Sequence, residues 1–144
     1  AGTIVTSSAD IAHAAERAVV GGFAYSGQVC IHAQRFIVQE SVYNEFVKRV
    51  VEKTKQLVIG DPLDNSTQVS SMIDAANSQR VLDWIDEAKA GGAVVHCGGN
   101  SVDGIVLPTV LTNTTVDMRV CSEEVFGPVI TIESYTAFSD AIEY

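Results

Sequence analysis

Short apolar runs alternate along this chain with longer stretches whose apolar residues recur every three or four positions. That alternation calls for strands and helices in turn, and so for an α/β layer fold with a mostly parallel sheet. Thr3–Val5 reads as a buried strand. Further strands are expected at 35–39, around Phe36, Ile37 and Val38, and at 93–96, 107–111 and 129–132. Pro108 lies inside the fourth of these runs. Proline cannot donate to a ladder, so this strand is expected at an edge.

The helical stretches carry their own punctuation. Ile11, Ala14, Ala15, Ala18, Val19 and Gly22 share one face over 9–22, behind a Ser7/Asp10 pair that resembles a capping box. Gly21, Gly22 and Gly27 are expected to break this helix into the loop that carries Cys30. Ser41 is the expected cap of a second helix, with an inner stripe from Tyr43 through Phe46, Val47, Val50, Val51 and Thr54 to Leu57 and Val58. Gly60 and Pro62 stop it. A polar, turn-rich stretch covers 61–71. A third helix is read over 74–90, with Val81, Leu82, Ile85 and Ala88 inward and Gly91 and Gly92 ending it. Residues 97–100 read as a turn. After the last strand, Thr136 or Ser139 is placed to cap a starting helix with Ala141 and Ile142 on its apolar face. The chain stops at Tyr144 within that helix and opens on Ala1 rather than Met, so a piece of a larger protein is expected.

Composition removes several function classes. The chain has 144 residues, room for one domain, and 47% hydrophobic residues give it a core. Nine Lys and Arg face 18 Asp and Glu, a net charge of −9 that opposes phosphate backbones and anionic lipid surfaces. Neither nucleic acid nor membrane is an expected partner, and no apolar run approaches the roughly 18 residues of a span. Cys30, Cys97 and Cys121 are an odd number, widely scattered, which suits a reducing, cytoplasmic setting. No basic start precedes an apolar stretch at the N-terminus, so no signal peptide is expected.

Two segments concentrate possible chemistry. Cys30 sits in Tyr25-Ser-Gly-Gln-Val-Cys-Ile31, a loop between helix and strand where backbone N–H groups can stabilise a thiolate or a developing oxyanion. A buried small hydrophobe is the plainer reading of a free cysteine. The second segment is Glu123-Glu-Val-Phe-Gly-Pro128. A carboxylate there can accept from the paired hydroxyls of a ribose, and Phe126 offers a flat surface to a ring. A solvated acidic turn with an anchoring Phe is the plainer alternative. Cys97 and Cys121 read as structural. His13, His32 and His96 are the only bases available to a Cys–His hydrolase, and the simpler reading makes all three surface or capping residues. No zinc spacing occurs, so no metal site is expected. There is no Walker pattern and no Gly-x-Gly-x-x-Gly, so most of any dinucleotide surface lies elsewhere.

Together these segments resemble the aldehyde dehydrogenase superfamily. Gly27-Gln-Val-Cys30 is similar to its nucleophile motif and Glu124-Val-Phe-Gly-Pro128 to its second signature, about ninety residues on. The likeness continues through Gly60-Asp-Pro-Leu63, Met72-Ile73, Trp84-Ile-Asp-Glu-Ala88, Gly98-Gly99 and Pro108-Thr-Val-Leu111. It implies a truncated three-layer α/β/α catalytic domain over 1–144, with the cofactor-binding domain and the oligomerisation segment outside the chain. It implies an NAD(P)-dependent oxidoreductase that turns an aldehyde into a carboxylic acid. Cys30 would attack the carbonyl to form a thiohemiacetal and then a thioester. Glu124 would hold the nicotinamide ribose, Phe126 would lie near the nicotinamide, and Val29 and Ile31 would line the substrate path. NAD or NADP would be the cofactor, a small aldehyde the partner, and a homo-oligomer the parent assembly.

By the same resemblance, the family's general-base Glu lies just upstream, in a Glu-Leu-Gly-Gly segment outside these residues, as does an oxyanion-hole Asn. The isolated chain is therefore expected to be inactive. Ser70-Ser71 stands where many members have Gly-Pro, a loop change without expected chemical consequence. Ser26-Gly-Gln-Val-Cys-Ile31 with Gln34-Arg35 is similar to the branch handling lactaldehyde, glyceraldehyde-type and phosphonoacetaldehyde substrates, and singles out none of them. The competing reading is a non-catalytic α/β binding or scaffolding module that keeps these segments for folding.

Overall fold

The computed structural model describes residues 1–143, so Tyr144, where the sequence reading ends the last helix, lies outside the described residues. Twelve elements follow in order: β1 (Gly2–Val5), α1 (Ile11–Phe23), β2 (Arg35–Gln39), α2 (Glu40–Thr54), α3 (Ala75–Ala90), β3 (Val94–Cys97), β4 (Ser101–Val102), β5 (Ile105–Val106), β6 (Thr109–Thr112), α4 (Arg119–Ser122), β7 (Val129–Tyr135) and α5 (Phe138–Glu143). The main sheet has the order β1-β2-β7-β6-β3. Only β3 runs antiparallel to its neighbour; the other pairings are parallel. The expected α/β fold with a mostly parallel sheet is the observed one.

Alternation along the strands sends successive side chains to opposite faces, and each face has its own helices. Ala15, Ala18, Val19 and Phe23 of α1, with Phe46 and Val50 of α2, bury Phe36, Val38, Val110, Ile130 and Ile132. On the opposite face, Val81, Ile85 and Ala88 of α3 and Val120 of α4 cover Leu111 and Val129. These two buried layers make the molecule a three-layer α/β/α sandwich. Each fully buried Val, Ile or Phe contributes about 1.5–3 kcal/mol against exposure.

The structure departs from the sequence reading where tertiary contact outweighs a local signal. Helix α1 runs through Gly21 and Gly22 rather than breaking there. A Cβ on Gly22 would lie 2.5 Å from Ile130 Cγ2, so this glycine lets the helix sit close on the sheet. The cap of α1 is Asp10, whose carboxylate accepts the His13 N–H at 3.1 Å. Ser7 instead donates its N–H to the Gln39 side chain. Strand β2 passes directly into α2, so Gln39 holds the cap position and Ser41 falls in the first turn. Asp74 caps α3 as a side-chain acceptor of the Asn77 N–H.

Strand β6 lies inside the sheet between β7 and β3. Pro108 immediately precedes it, so the proline costs the ladder no donor and does not mark an edge. Strands β1 and β3 are the edges instead, and only Val5 of Thr3–Val5 is buried. The sequence reading also lacks the β4–β5 hairpin. Its Asp103-Gly104 corner, with φ of 51° and 80°, fits a two-residue primed turn. It lacks α4 as well. At α5, Thr136 donates to Glu40 and Ser139 lies within the helix, so neither caps it. Ala141 is buried beside Ile37 and Tyr135, whereas Ile142 is exposed.

Candidate active site

After α1 the chain turns through three left-handed residues, Tyr25, Ser26 and Gly27, with φ of 53°, 56° and 69°. The first two carry side chains in a sparsely populated region, so the turn persists only where its surroundings enforce it. Those surroundings are specific. Ser26 Oγ donates to the Ser70 carbonyl at 2.9 Å and accepts the Ser70 N–H at 3.1 Å. Gln28 Oε1 accepts the Ile73 N–H at 3.0 Å. The His32 N–H closes a short turn onto the Val29 carbonyl at 2.9 Å. Cys30 stands exposed on that turn, with Ile31 exposed beside it and Val29 half-buried.

The second segment is held from both flanks. Arg80 Nη2 donates to the Val125 carbonyl at 2.8 Å, and the Val125 N–H donates to Gln34 Oε1 at 2.9 Å. Val125 is fully buried, while Glu124 on one side and Phe126 on the other face outward. Phe126 adopts a φ of 48°. Pro128 is buried, and its carbonyl accepts the Thr109 N–H at 2.9 Å. Among the described residues, the Glu124 carboxylate carries no salt bridge.

Sheet topology brings the two segments together. Strands β2 and β7 are parallel neighbours with Arg35 opposite Thr131. Cys30 and Phe126 each lie five residues ahead of that pair, so both segments enter the same end of the sheet. They touch through backbone: a Cβ on Gly27 would fall 2.1 Å from the Gly127 carbonyl oxygen. A side chain at position 27 would push the segments apart.

An exposed carboxylate and a half-exposed aromatic ring, two residues apart on a fixed turn, suit a group that presents a diol and a flat heterocycle. An exposed thiol on the adjoining loop suits attack on an electrophile approaching from the same side. Thiolate character is what such attack requires.

The histidines do not complete a Cys–His pair with Cys30 in this arrangement. His32 is buried rather than a surface residue, which corrects the sequence reading. Its Nε2 lies 2.8 Å from the Gly22 carbonyl, and its Nδ1 is buried without a hydrogen-bond partner. Two residues after Cys30, the chain has turned inward and carries this ring with it. Burial pushes the imidazole below its ordinary pKa, against the Gly22 hydrogen bond that favours the charged ring. His96 Nε2 pairs with Thr112 Oγ1 at 2.8 Å, and His13 is exposed on α1. Cys97 is half-buried, and burial raises its thiol pKa. Cys121 is buried and donates to Thr114 Oγ1 at 3.2 Å. Among the described residues, no cluster of His, Cys, Asp and Glu is arranged to hold a metal ion. No helix there is long and apolar enough to cross a membrane.

Sequence reasoning missed Gln34, Arg80, Gln28 and Ser26 as supports of these two segments. Their partners are mainly main-chain groups 44 to 91 residues away, which leave no periodic or compositional trace.

Comparison with known proteins adds to this geometry. The family model described as the aldehyde dehydrogenase family matches residues 1–144. The 3-sulfolactaldehyde dehydrogenase of Priestia aryabhattai is 41% identical over 140 residues, covering 97% of this chain and 29% of the relative. The cytosolic aldehyde dehydrogenase 1 of Rattus norvegicus is 40% identical over 143 residues, covering 97% and 28%. The crystal structure of betaine aldehyde dehydrogenase from Staphylococcus aureus in complex with NAD+ superimposes with a TM-score of 0.94 at 32% identity. It covers 99% of this chain, which spans 30% of that one. Aldehyde dehydrogenase 21 from Physcomitrella patens, in complex with the reaction product succinate, also gives a TM-score of 0.94 at 32% identity, with the same shares covered.

Proposed function

The chain belongs to the aldehyde dehydrogenase family, and from that membership we propose that it forms part of the catalytic domain of an NAD(P)-dependent enzyme oxidising an aldehyde to a carboxylic acid. One observation supports this reading above the others: the Gly27–Gly127 contact sets the Cys30 loop against the Glu124–Pro128 turn. A nucleophile and a cofactor-facing surface are needed side by side for hydride transfer.

In this reading the Cys30 sulfur bonds to the aldehyde carbon, and the carbonyl oxygen becomes an alkoxide within reach of backbone N–H groups on the loop. The Cys30 N–H is the local donor, and it stabilises charge most where the charge develops. Val29 and Ile31 border the substrate path. Glu124 accepts from the nicotinamide ribose hydroxyls, and Phe126 lies against the nicotinamide. The bound cofactor supplies a hydride acceptor. Loss of hydride leaves a thioester on Cys30, and water cleaves its carbon–sulfur bond to release the acid and return the thiol. The balance is aldehyde, oxidised cofactor and water in, and acid, reduced cofactor and a proton out.

The chain spans 28–30% of the length of the relatives compared above. The cofactor-binding domain, the water-activating base and the oligomerisation segment belong to the remainder, and the 144 residues alone produce no steady NADH. The parent is a homo-oligomer. Three unpaired cysteines favour a reducing, cytoplasmic setting.

The test is Cys30→Ala in the full-length protein that carries this chain, assayed for NADH formation from a panel of aldehydes. Loss of turnover by about a thousandfold or more with retained NAD+ binding is expected. Undiminished turnover would overturn the assignment and leave the scaffolding module standing.

A further inference from the structure

The geometry points to Gln34 as a positioning residue that fixes the Glu124 carboxylate relative to Cys30, and thereby sets cofactor affinity. The inference rests on the proposed reading of Glu124 as a cofactor contact and extends it to a residue outside the site itself.

Gln34 is only 5% exposed. Its single amide group makes three hydrogen bonds, all to the segment that carries Glu124. Nε2 donates to the Val120 carbonyl at 3.0 Å and to the Glu123 carbonyl at 2.8 Å, while Oε1 accepts the Val125 N–H at 2.9 Å. The last two partners are the residues directly before and after Glu124. The peptide units flanking Glu124 are thus held, and the side chain between them projects to solvent. Gln34 is itself anchored, because its carbonyl accepts the Thr131 N–H of β7 at 2.9 Å. It also lies four residues beyond Cys30 on the same strand entry. One residue, four positions after Cys30, therefore ties the sheet through its carbonyl and the acidic turn through its side chain.

The primary amide suits this role because it donates twice and accepts once in one plane. Methionine, of similar length, would take the amide away from the buried Val120 carbonyl and Val125 N–H and from the partly buried Glu123 carbonyl, and such groups tend to move toward water. A shift of about 1 Å in a positioning group can change rate or affinity by one to two orders of magnitude. Glutamate separates positioning from bulk. Ionised, it sets a negative oxygen against the Val120 and Glu123 carbonyls. Protonated, it accepts from Val125 N–H and restores one of the two donations.

The experiment compares Gln34→Met, Gln34→Glu and Glu124→Gln with the wild type in the full-length protein that carries this chain. It reads KM for NAD+, KM for the aldehyde, and the Kd of NAD+ by calorimetry. Gln34→Met is expected to raise KM and Kd for NAD+ by about tenfold and to leave the aldehyde KM within about twofold. For Gln34→Glu, the ratio of its NAD+ KM to that of wild type should approach one at acidic pH and climb at alkaline pH. Unchanged NAD+ affinity in Gln34→Met, with weakened affinity in Glu124→Gln, overturns the inference alone. Unchanged NAD+ affinity in Glu124→Gln overturns the reading of Glu124 on which it rests. If Gln34→Met does not fold, the glutamate variant decides: a ratio that is flat with pH overturns the inference.

Discussion

The centre of the sheet and the two loops at its end are held by different forces. Val38, Val110, Ile130 and Ile132 are at 0% exposure, and dozens of weak contacts share the work of holding them. The loops depend instead on a few directed hydrogen bonds: Ser26 with Ser70, Gln28 with Ile73, Gln34 with Val120, Glu123 and Val125, and Arg80 with Val125. A defect in the first region spreads, because packing is shared. A defect in the second stays local, because each bond has one partner. The loops can therefore lose their geometry while the sandwich remains folded.

The sharpest way to break this contrast is to damage the core and watch the loops. Ile130→Ala should destabilise the chain by about 2–5 kcal/mol, measured by urea unfolding. The Cys30 alkylation rate in the folded fraction should change little; a large change would mean that core and loops are not separable. Gly27→Ala is the converse. Its Cβ meets the Gly127 carbonyl in a backbone region that disfavours side chains, so about 1–3 kcal/mol is expected. Here, peptide mapping should show an altered Cys30 labelling rate relative to Cys97 and Cys121. An unaltered ratio would deny that the two loops share one rigid contact.

A smaller effect tests the join between the regions. His32 is held below its ordinary value of 6.5 by burial, so the unfolded chain binds the proton more readily. Stability should then fall as pH drops from about 6.5 toward the lower folded value, and recover above it. Glu133 acts in the opposite sense, since burial raises its carboxyl above 4.5 and its contribution fades as pH rises past that point. Urea midpoints between about pH 7.5 and 5.5 should decline in the wild type and decline less in His32→Gln. Equal slopes would remove His32 from the account. Smallest of all is Glu87→Gln, which deletes an exposed partner of Arg119. It should leave the urea midpoint unmoved, because exposed ion pairs contribute little.

Much of the sandwich is legible in the sequence because burial repeats. Helix α3 and strand β2 fall where periodicity and punctuation place them, although the sequence reading counts Asp74 within the helix that it caps. Reading fails where one contact overrules a propensity. Gly22 looks like a breaker and is a spacer for Ile130. Pro108 looks like an edge signal and stands just outside an interior strand. The β4–β5 strands are two residues each, too short for alternation to show, although Asp103-Gly104 is a hairpin signal. At the candidate site, the Cys30 and Glu124 segments stand out as motifs. That their backbones meet at Gly27 and Gly127 does not, because touching main chains leave no mark on residue choice beyond two glycines. Gln34 is the least legible, since its partners are all main-chain groups on a segment far along the chain.

The parallel register of β2 and β7 works as a ruler between the two segments. Cys30 and Phe126 sit the same number of residues ahead of the paired Arg35 and Thr131. Gaining or losing one codon on either approach, and not the other, would slide one segment along the other and invert the facing of its side chains. Chimeras of this chain with its relatives should therefore tolerate crossovers in the 61–68 loop or at the Asp103-Gly104 corner. A crossover within 30–35 or 126–131 is safe only when both donors count the same number of residues there.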